Sequence, residues 1–197
     1  MNIAVFASHG GSDLQAIIDG CRDGRINATV KVVISNNRDS MALVRSNGEG
    51  IPNYHMSVKK YGSEEALAKE ILNVLNQYSI DMIFLAGYMR MLHISILEKY
   101  NNRVFNIHPA LLPKFGGKGM YGMNVHTAVI AAKEKETGVT IHRVNAEYDS
   151  GEIVAQTKVN VYENDTPEIL ADRVLEREHE FLVEVISDIV CGKIPLG

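Results

Sequence analysis

Several residue types are scarce in this chain of 197 residues, and each scarcity excludes a class of protein. Tryptophan is absent, and the two cysteines, Cys21 and Cys191, lie far apart with no Cys-x-x-Cys pair. This pattern excludes a fold built on disulfides and a cysteine-rich metal site. Since unpaired cysteines persist in a reducing compartment, we expect a cytoplasmic protein.

Basic residues are scattered and long apolar runs are missing. The formal charge is −4 and the isoelectric point is near 6.0, so the chain lacks the basic surface that coats nucleic acid, and we expect no nucleic-acid partner. No apolar run approaches the roughly 20 residues of a membrane span. The apolar segment 2–7 is too short for the core of a signal peptide. We therefore expect no membrane partner.

Apolar residues are plentiful, at 46% of the chain, and they recur in short segments. Runs of strand length predict strands at 2–7, 30–35, 53–56, 81–86, 103–107, 139–144 and 153–161. Helical spacing predicts helices at 12–21, 41–48, 63–78, 94–100, 125–135 and 166–189. Ser12 and Gln15 have the spacing of a capping box, so Ser12 is the expected cap of the first helix.

The alternation of strands and helices predicts an α/β fold, a doubly wound and mostly parallel sheet with helices on both faces. The last two strands follow each other without a helix, which predicts an antiparallel element at one edge. No repeat or linker divides the chain, and we expect a single domain over 1–197. Ligands of such sheets bind beyond the carboxyl ends of the strands. This rule selects the loops 8–13, 87–92, 106–109 and 145–151.

The first of these loops carries Gly11, Ser12 and Asp13 directly before a predicted helix. Free backbone N–H groups and the helix dipole suit a phosphate at such a place. The spacing is neither a dinucleotide-binding fingerprint nor a P-loop. A tight turn that needs glycine for steric reasons alone is an equally good interpretation.

Asn106 and His108 emerge on the same side of one predicted strand, at its carboxyl end. An amide can donate a hydrogen bond to a developing oxyanion, and histidine can move a proton near neutral pH. Asp149 lies in the turn Tyr-Asp-Ser-Gly, and on the residues alone an ordinary turn is the more common interpretation. Glu178 interrupts an apolar helical stripe, so it forms either an internal structural pair or a ligand contact. The histidines show no metal-binding spacing, and we expect no metal.

A resemblance extends this interpretation. The string 106–113, Asn-Ile-His-Pro-Ala-Leu-Leu-Pro, strongly resembles the signature of the folate-dependent formyltransferases. The segments 2–5, 11–17, 85–92 and 149–151 resemble the same family, so the likeness spans the chain. Within the family, the chain resembles the members that act on a ribonucleotide. Members that formylate tRNA or hydrolyse formyl-folate carry further domains, for which the chain length leaves no room.

The resemblance implies transfer of the formyl group of 10-formyltetrahydrofolate, the cosubstrate, to the amine of glycinamide ribonucleotide in de novo purine biosynthesis. Asn106 and His108 would stabilise the oxygen of the tetrahedral intermediate, and His108 would pass a proton to the departing folate nitrogen. Asp149 would raise the pKa of His108. Hydrolysis of 10-formyltetrahydrofolate is the alternative, with water in place of the amine. A nucleotide-binding module without catalysis is disfavoured, because it gives these residues no shared purpose.

The resemblance also implies the binding residues. Backbone groups of Gly11, Ser12 and Asp13 would hold the substrate phosphate, and Glu178 the ribose. The folate pocket would be formed by Met89, Arg90, Met91, Leu92 and Asn106. The oligomeric state stays open.

Two positions depart from the family pattern. Asp13 stands where asparagine is usual, so a contact through its backbone is expected in preference to its carboxylate. Glu64 stands where a basic residue often meets the folate tail, and Lys59 or Lys60 are the candidate substitutes.

Overall fold

A computed structural model describes residues 1–196, which form one seven-stranded sheet with helices around it. The strands are β1 (Asn2–Phe6), β2 (Thr29–Ser35), β3 (Asn53–His55), β4 (Met82–Leu85), β5 (Val104–His108), β6 (Glu136–Arg143) and β7 (Ile153–Asn160). The helices are α1 (Ser12–Arg22), α2 (Met41–Gly48), α3 (Val58–Tyr61), α4 (Glu64–Gln77), α5 (Ile94–Lys99), α6 (Met123–Ala131) and α7 (Pro167–Val190).

The sheet has the order β3-β2-β1-β4-β5-β6-β7. The strands from β3 to β5 pair in parallel, whereas β6 is antiparallel to both β5 and β7. The predicted doubly wound sheet with an antiparallel edge is therefore confirmed. The strand order reverses between β1 and β4, and a crevice for ligands opens beyond the carboxyl ends of the strands at such a point.

Two apolar cores cover the two faces of the sheet, as the alternation of side chains along β1 illustrates. Ile3 and Val5 are fully buried on one face, in the core that also contains residues of α1 and α7. Ala4 and Phe6 are fully buried on the other face, with residues of α4 and α5. A strand that is apolar on both sides is what a parallel sheet covered by helices requires.

The start of α1 differs from the sequence prediction. The N-cap is Gly11 in the left-handed conformation, with φ of 69°, and no side chain caps the helix. Ser12 is the first helical residue, so the predicted capping role of Ser12 is wrong. A glycine at position 11 is required because a Cβ there would lie 2.9 Å from the Cα of Ala42.

Three other elements differ from the sequence prediction. α6 runs from Met123 to Ala131, whereas the sequence predicted a helix over 125–135. The helix ends early because Lys133 adopts a left-handed conformation, with φ of 53°. β6 starts at Glu136 and is longer than predicted, since it pairs along most of β7. The single-turn helix α3 was not predicted.

α7 is the longest helix, with 24 residues, and it begins as the sequence predicts. The Thr166 side chain accepts a hydrogen bond from the Ile169 amide, and Pro167 opens the helix. The buried face of α7 is apolar except for Glu178, whose exposed fraction is 7%. Across residues 1–196, α7 included, no helix combines the length and the apolarity that a bilayer crossing requires.

Candidate active site

Three of the four loops selected from the sequence, and Asp13 of the fourth, line one cavity of about 340 Å³ at the carboxyl edge of the sheet. Its walls come from 87–92 after β4, from 106–109 at the end of β5 and from 147–149 in the β6–β7 connection. Asp13 and Glu178 contribute from α1 and α7. The glycine-rich segment 117–122 closes one side, and His142 of β6 completes the lining.

His108 ends β5 and is 4% exposed. Its Nε2 atom lies 2.8 Å from the carbonyl oxygen of Phe115, and a carbonyl can only accept, so Nε2 carries a proton. The other ring nitrogen, Nδ1, faces Oδ2 of Asp149 at 3.7 Å. Nδ1 is therefore the atom that gains or loses a proton when the ring changes charge, and Asp149 lies beside it.

The pKa of His108 is lowered, although Asp149 acts to raise it as the family resemblance implies. Burial is the largest influence and favours the neutral ring. The charge of Asp149 and the Phe115 carbonyl act in the opposite direction but do not outweigh it. Asp149 therefore acts in the expected direction, and the burial of His108 outweighs it.

Asp149 is fixed in place by the backbone around it. The Gly117 amide donates to its Oδ2 atom at 2.9 Å, and the residue itself adopts a left-handed φ of 51°. A Cβ at Gly151, two residues on, would collide with the carbonyl oxygen of Arg143, so this connection needs glycine there. Burial acts to raise the pKa of Asp149, but contact with His142, the charge of His108 and the Gly117 amide together lower it. The carboxylate is thus charged and oriented between two histidines.

His142 is a site residue that sequence reasoning missed. It pairs with Asn106 across β5 and β6, and its Nε2 atom lies 3.1 Å from the Asn106 side-chain nitrogen. Its Nε2 atom is also 3.6 Å from Oδ1 of Asp149. The only local signal was its position on an alternating strand, because the contact depends on a pairing between strands distant in the sequence.

The predicted phosphate loop lies at the start of α1. The first hydrogen bond of the helix joins the Gln15 amide to the Gly11 carbonyl at 3.0 Å, which leaves the amides of Ser12 and Asp13 without partners inside the helix. The Arg45 guanidinium lies next to this loop and donates to the Gly10 carbonyl at 2.9 Å. Among the predicted phosphate residues, Asp13 lines the cavity, whereas Gly11 and Ser12 lie outside its lining.

The predicted folate residues Met89, Arg90, Met91 and Leu92 all line the cavity. The Ser8 hydroxyl accepts from the Met89 amide at 2.8 Å, which ties this segment to the end of β1. Part of the segment also borders an adjoining cavity of about 240 Å³, together with Lys59 and Glu64.

Charged residues surround the adjoining cavity. The Arg90 guanidinium lies 3.5 Å from the carboxylate of Glu64, the position at which the sequence departs from the family pattern. Glu64 is therefore paired with a basic side chain. Lys59 lines this cavity, whereas Lys60 donates to the carbonyl of His55 at 3.2 Å. Within 1–196, no group of three or more His, Cys, Asp or Glu side chains is arranged to hold a metal ion.

Comparison with known proteins identifies a matching family and several similar proteins. The family model described as formyl transferase matches residues 1–186. A chloroplastic phosphoribosylglycinamide formyltransferase of Arabidopsis thaliana is 43% identical over 188 residues, which are 95% of this chain and 64% of that protein. The phosphoribosylglycinamide formyltransferase of Escherichia coli (strain K12) is 35% identical over 196 residues, which are 100% of this chain and 90% of the relative. The chain thus spans slightly less than two thirds of the length of the plant relative and most of the length of the bacterial one.

A solved structure resembles the whole fold. Glycinamide ribonucleotide transformylase 1 from Symbiobacterium toebii superposes with a TM-score of 0.90 at 38% identity. The superposition covers 98% of this chain and 88% of that one. The arrangement of strands is therefore similar in the two proteins.

Proposed function

The chain belongs to the formyl transferase family, and from this membership we propose that it transfers the formyl group of 10-formyltetrahydrofolate to the amine of glycinamide ribonucleotide. The products are formylglycinamide ribonucleotide and tetrahydrofolate, in de novo purine biosynthesis. The names of the bacterial and plant relatives support this acceptor. We place the reaction in the cytoplasm, in accord with two free cysteines.

The observation that carries the proposal is the grouping of Asn106, His108 and Asp149 around one cavity. An amide donor, a histidine and a carboxylate are the groups that acyl transfer to an amine requires. The cavity of about 340 Å³ falls within the usual size of small-molecule sites, and the adjoining cavity extends it.

In the proposed reaction, the amine nitrogen attacks the formyl carbon, and the carbonyl oxygen takes up negative charge as that carbon becomes tetrahedral. The side-chain amide of Asn106 donates to this oxygen. One of its N–H groups is directed to His142, and the other serves the oxyanion. When the carbonyl re-forms, the bond between the carbon and the folate nitrogen breaks.

A proton must leave the attacking amine, and another must reach the departing folate nitrogen. Because burial lowers the pKa of His108, its ring is ready to accept a proton near neutral pH. The imidazolium that forms is stabilised by Asp149 and then donates to the departing nitrogen. Histidine thus acts first as a base and then as an acid, and Asp149 remains charged throughout.

The two substrates occupy different ends of the site in this proposal. The phosphate of the ribonucleotide binds to the free amides of Ser12 and Asp13, with the positive charge of Arg45 nearby. Glu178 contacts the ribose. Folate lies along the segment from Met89 to Leu92, and its acidic tail extends toward Lys59 in the adjoining cavity.

The direct test follows deformylation of 10-formyltetrahydrofolate by absorbance, with and without glycinamide ribonucleotide, and identifies the formylated product by mass spectrometry. We expect turnover that requires the ribonucleotide. His108→Ala should abolish most of it, while His55→Ala, remote from the cavity, should not.

Other outcomes have definite meanings. Equal turnover without the ribonucleotide would identify a hydrolase, in which water replaces the amine. Binding of both ligands with no turnover would contradict catalysis altogether and leave a nucleotide-binding module.

A further inference from the structure

Two carboxyl side chains line the cavity from two helices that pack against each other, Asp13 from α1 and Glu178 from α7. Asp13 and Glu178 both line the cavity, and Glu178 is 7% exposed. Oδ1 of Asp13 is buried and has no hydrogen-bond partner within the described residues. No ordinary structural role accounts for two carboxyls in this position, because a buried carboxylate needs a partner.

The nearby positive charges compensate at most one of the two carboxylates. Nε2 of His179 lies 3.4 Å from Oδ1 of Asp13 but makes no hydrogen bond to it. From α2, the Arg45 guanidinium is directed to the Gly10 carbonyl and to the Gln15 side chain. Asp13 is the carboxyl that faces this imidazole, and two interacting buried carboxyls cannot both be ionised without a large penalty.

We propose that Asp13 and Glu178 share one proton, and that this proton makes Glu178 a neutral hydrogen-bond donor to the ribose phosphate ligand. The inference rests on the proposed function in its choice of ligand. With Glu178 neutral, the pair carries one negative charge, that of Asp13, and this carboxylate faces His179.

The electrostatics of the pair agree with this arrangement. Burial raises the pKa of Asp13 to about 6, against the attraction of His179. Burial also raises the pKa of Glu178 well above its ordinary value, and the charge of Asp13 adds to the increase. The proton on Glu178 is therefore the last to leave. His108 and His142 lie with Asp149 and do not influence the pair, and neither do the other titratable side chains of the lining, which are Tyr88, Arg90, Lys118, Tyr121, Glu147 and Tyr148.

The pair predicts how binding depends on pH. Ribonucleotide affinity should fall as pH rises through the titration of Glu178, by up to about tenfold in Kd per pH unit for a single linked proton. The ligand phosphate titrates as well, with a second pKa near 6, so wild type and variants must be compared with the same ligand.

The experiment measures the Kd of glycinamide ribonucleotide by calorimetry from about pH 5.5 to 9, without folate. Glu178→Gln keeps a donor that cannot ionise, so it should bind equally well at high pH and lose the transition. Asp13→Asn removes the neighbouring charge, so it should move the transition to lower pH. Glu180→Gln, two residues along α7 and 66% exposed, is the matched control and should follow wild type.

A carbon-13 NMR titration of the side-chain carboxyls in the ligand-free protein tests the proton without any ligand. We expect Glu178 to titrate above the ordinary glutamate range, and to titrate lower in Asp13→Asn. Titration of Glu178 near its ordinary value, or the same transition in wild type and Glu178→Gln, would overturn the shared proton. Failure of wild type to bind ribonucleotide at any pH would contradict the proposed function, and the NMR titration would still decide the protonation.

Discussion

His142 lies directly across the β5–β6 pairing from Asn106, with its Nε2 atom 3.1 Å from the Asn106 side-chain nitrogen. The other ring nitrogen, Nδ1, donates to the Arg143 carbonyl at 2.9 Å. With its proton on Nδ1, the ring presents Nε2 as an acceptor, which fixes the direction of the Asn106 amide. We therefore predict that His142 is a positioning residue that acts through Asn106.

Replacing His142 should affect the rate more than substrate binding. His142→Ala removes the acceptor and lets the Asn106 amide rotate, so kcat should fall by roughly fivefold to tenfold, the scale of one hydrogen bond of about 1 kcal/mol. KM should change little. His142→Gln retains an acceptor and should recover part of the rate. An alanine variant with wild-type kcat would show that the contact is only structural.

Removal of His108, the proposed catalytic histidine, should have a larger effect. His108→Ala eliminates the ring that lies between Asp149 and the Phe115 carbonyl, and turnover should fall by about 100-fold or more. Circular dichroism should show a folded protein. A variant that keeps near-wild-type turnover would remove His108 from the mechanism.

Asp149→Asn should alter the pH dependence as well as the rate. The charge of Asp149 acts to raise the pKa of His108, so its loss lowers that pKa further. The limb of the pH–rate profile that reports His108 should therefore move to lower pH. Steady-state rates from about pH 5 to 9 would check this, and an unchanged profile would make Asp149 merely a turn residue.

Alanine substitutions at Gly11 and at its neighbour Gly10 should differ in their effect on stability, because only position 11 is sterically restricted. Gly11→Ala places a Cβ 2.9 Å from Ala42 at a positive φ, whereas a Cβ at Gly10 meets nothing within 4 Å. Gly11→Ala should lower the free energy of unfolding by about 1–3 kcal/mol. It should also weaken ribonucleotide binding, because α1 begins there. Gly10→Ala should be nearly neutral, and equal loss in both variants in urea denaturation would contradict the steric explanation.

The ion pair between Asp165, just before α7, and Arg173 within α7 should contribute a stabilisation that depends on pH. Asp165 accepts two hydrogen bonds from Arg173, each 2.7 Å, and these lower its pKa to about 2. A lowered pKa means that the stabilisation is present above the ordinary aspartate range and is lost as pH falls toward 2.

Asp165→Asn should therefore lower the free energy of unfolding at neutral pH by about 1 kcal/mol, a modest value because Arg173 is partly exposed to solvent. The difference from wild type should shrink as the pH falls from about 4 to 2. Glu163→Gln, an exposed residue of the same turn, is the control. Equal destabilisation at both ends of this pH range would exclude the ion pair as the cause.

Most of the fold could be predicted from the sequence, because it depends on local pattern. The alternation of apolar segments indicated the sheet, and the absence of a helix between β6 and β7 indicated the antiparallel edge. The end of α6 could not be predicted, since Lys133 adopts a left-handed conformation that its residue type does not favour. The cap of α1 was misassigned because Gly11 bends the chain one residue before Ser12.

The site was predictable where the residues share one strand and not where they depend on long-range pairing. Asn106 and His108 alternate along β5, so their common direction follows from the sequence. The role of His142 follows from the β5–β6 register, over a separation of 36 residues. The lowered pKa of His108 depends on burial beneath the loop that contains Phe115, which no local pattern reports.

The position of β1 between β2 and β4 has a consequence for protein synthesis. β1 is made before either neighbour, and its pairing with β4 joins residues as distant as Ile3 and Met82. One edge of the central strand can pair once β2 has been made, whereas the other stays unpaired until β4 follows many residues later. His108 waits in turn, because Asp149 is translated only after β6. The reaction centre is thus completed late in synthesis, and a nascent chain that stalls before residue 149 has the central strands but no assembled catalytic group.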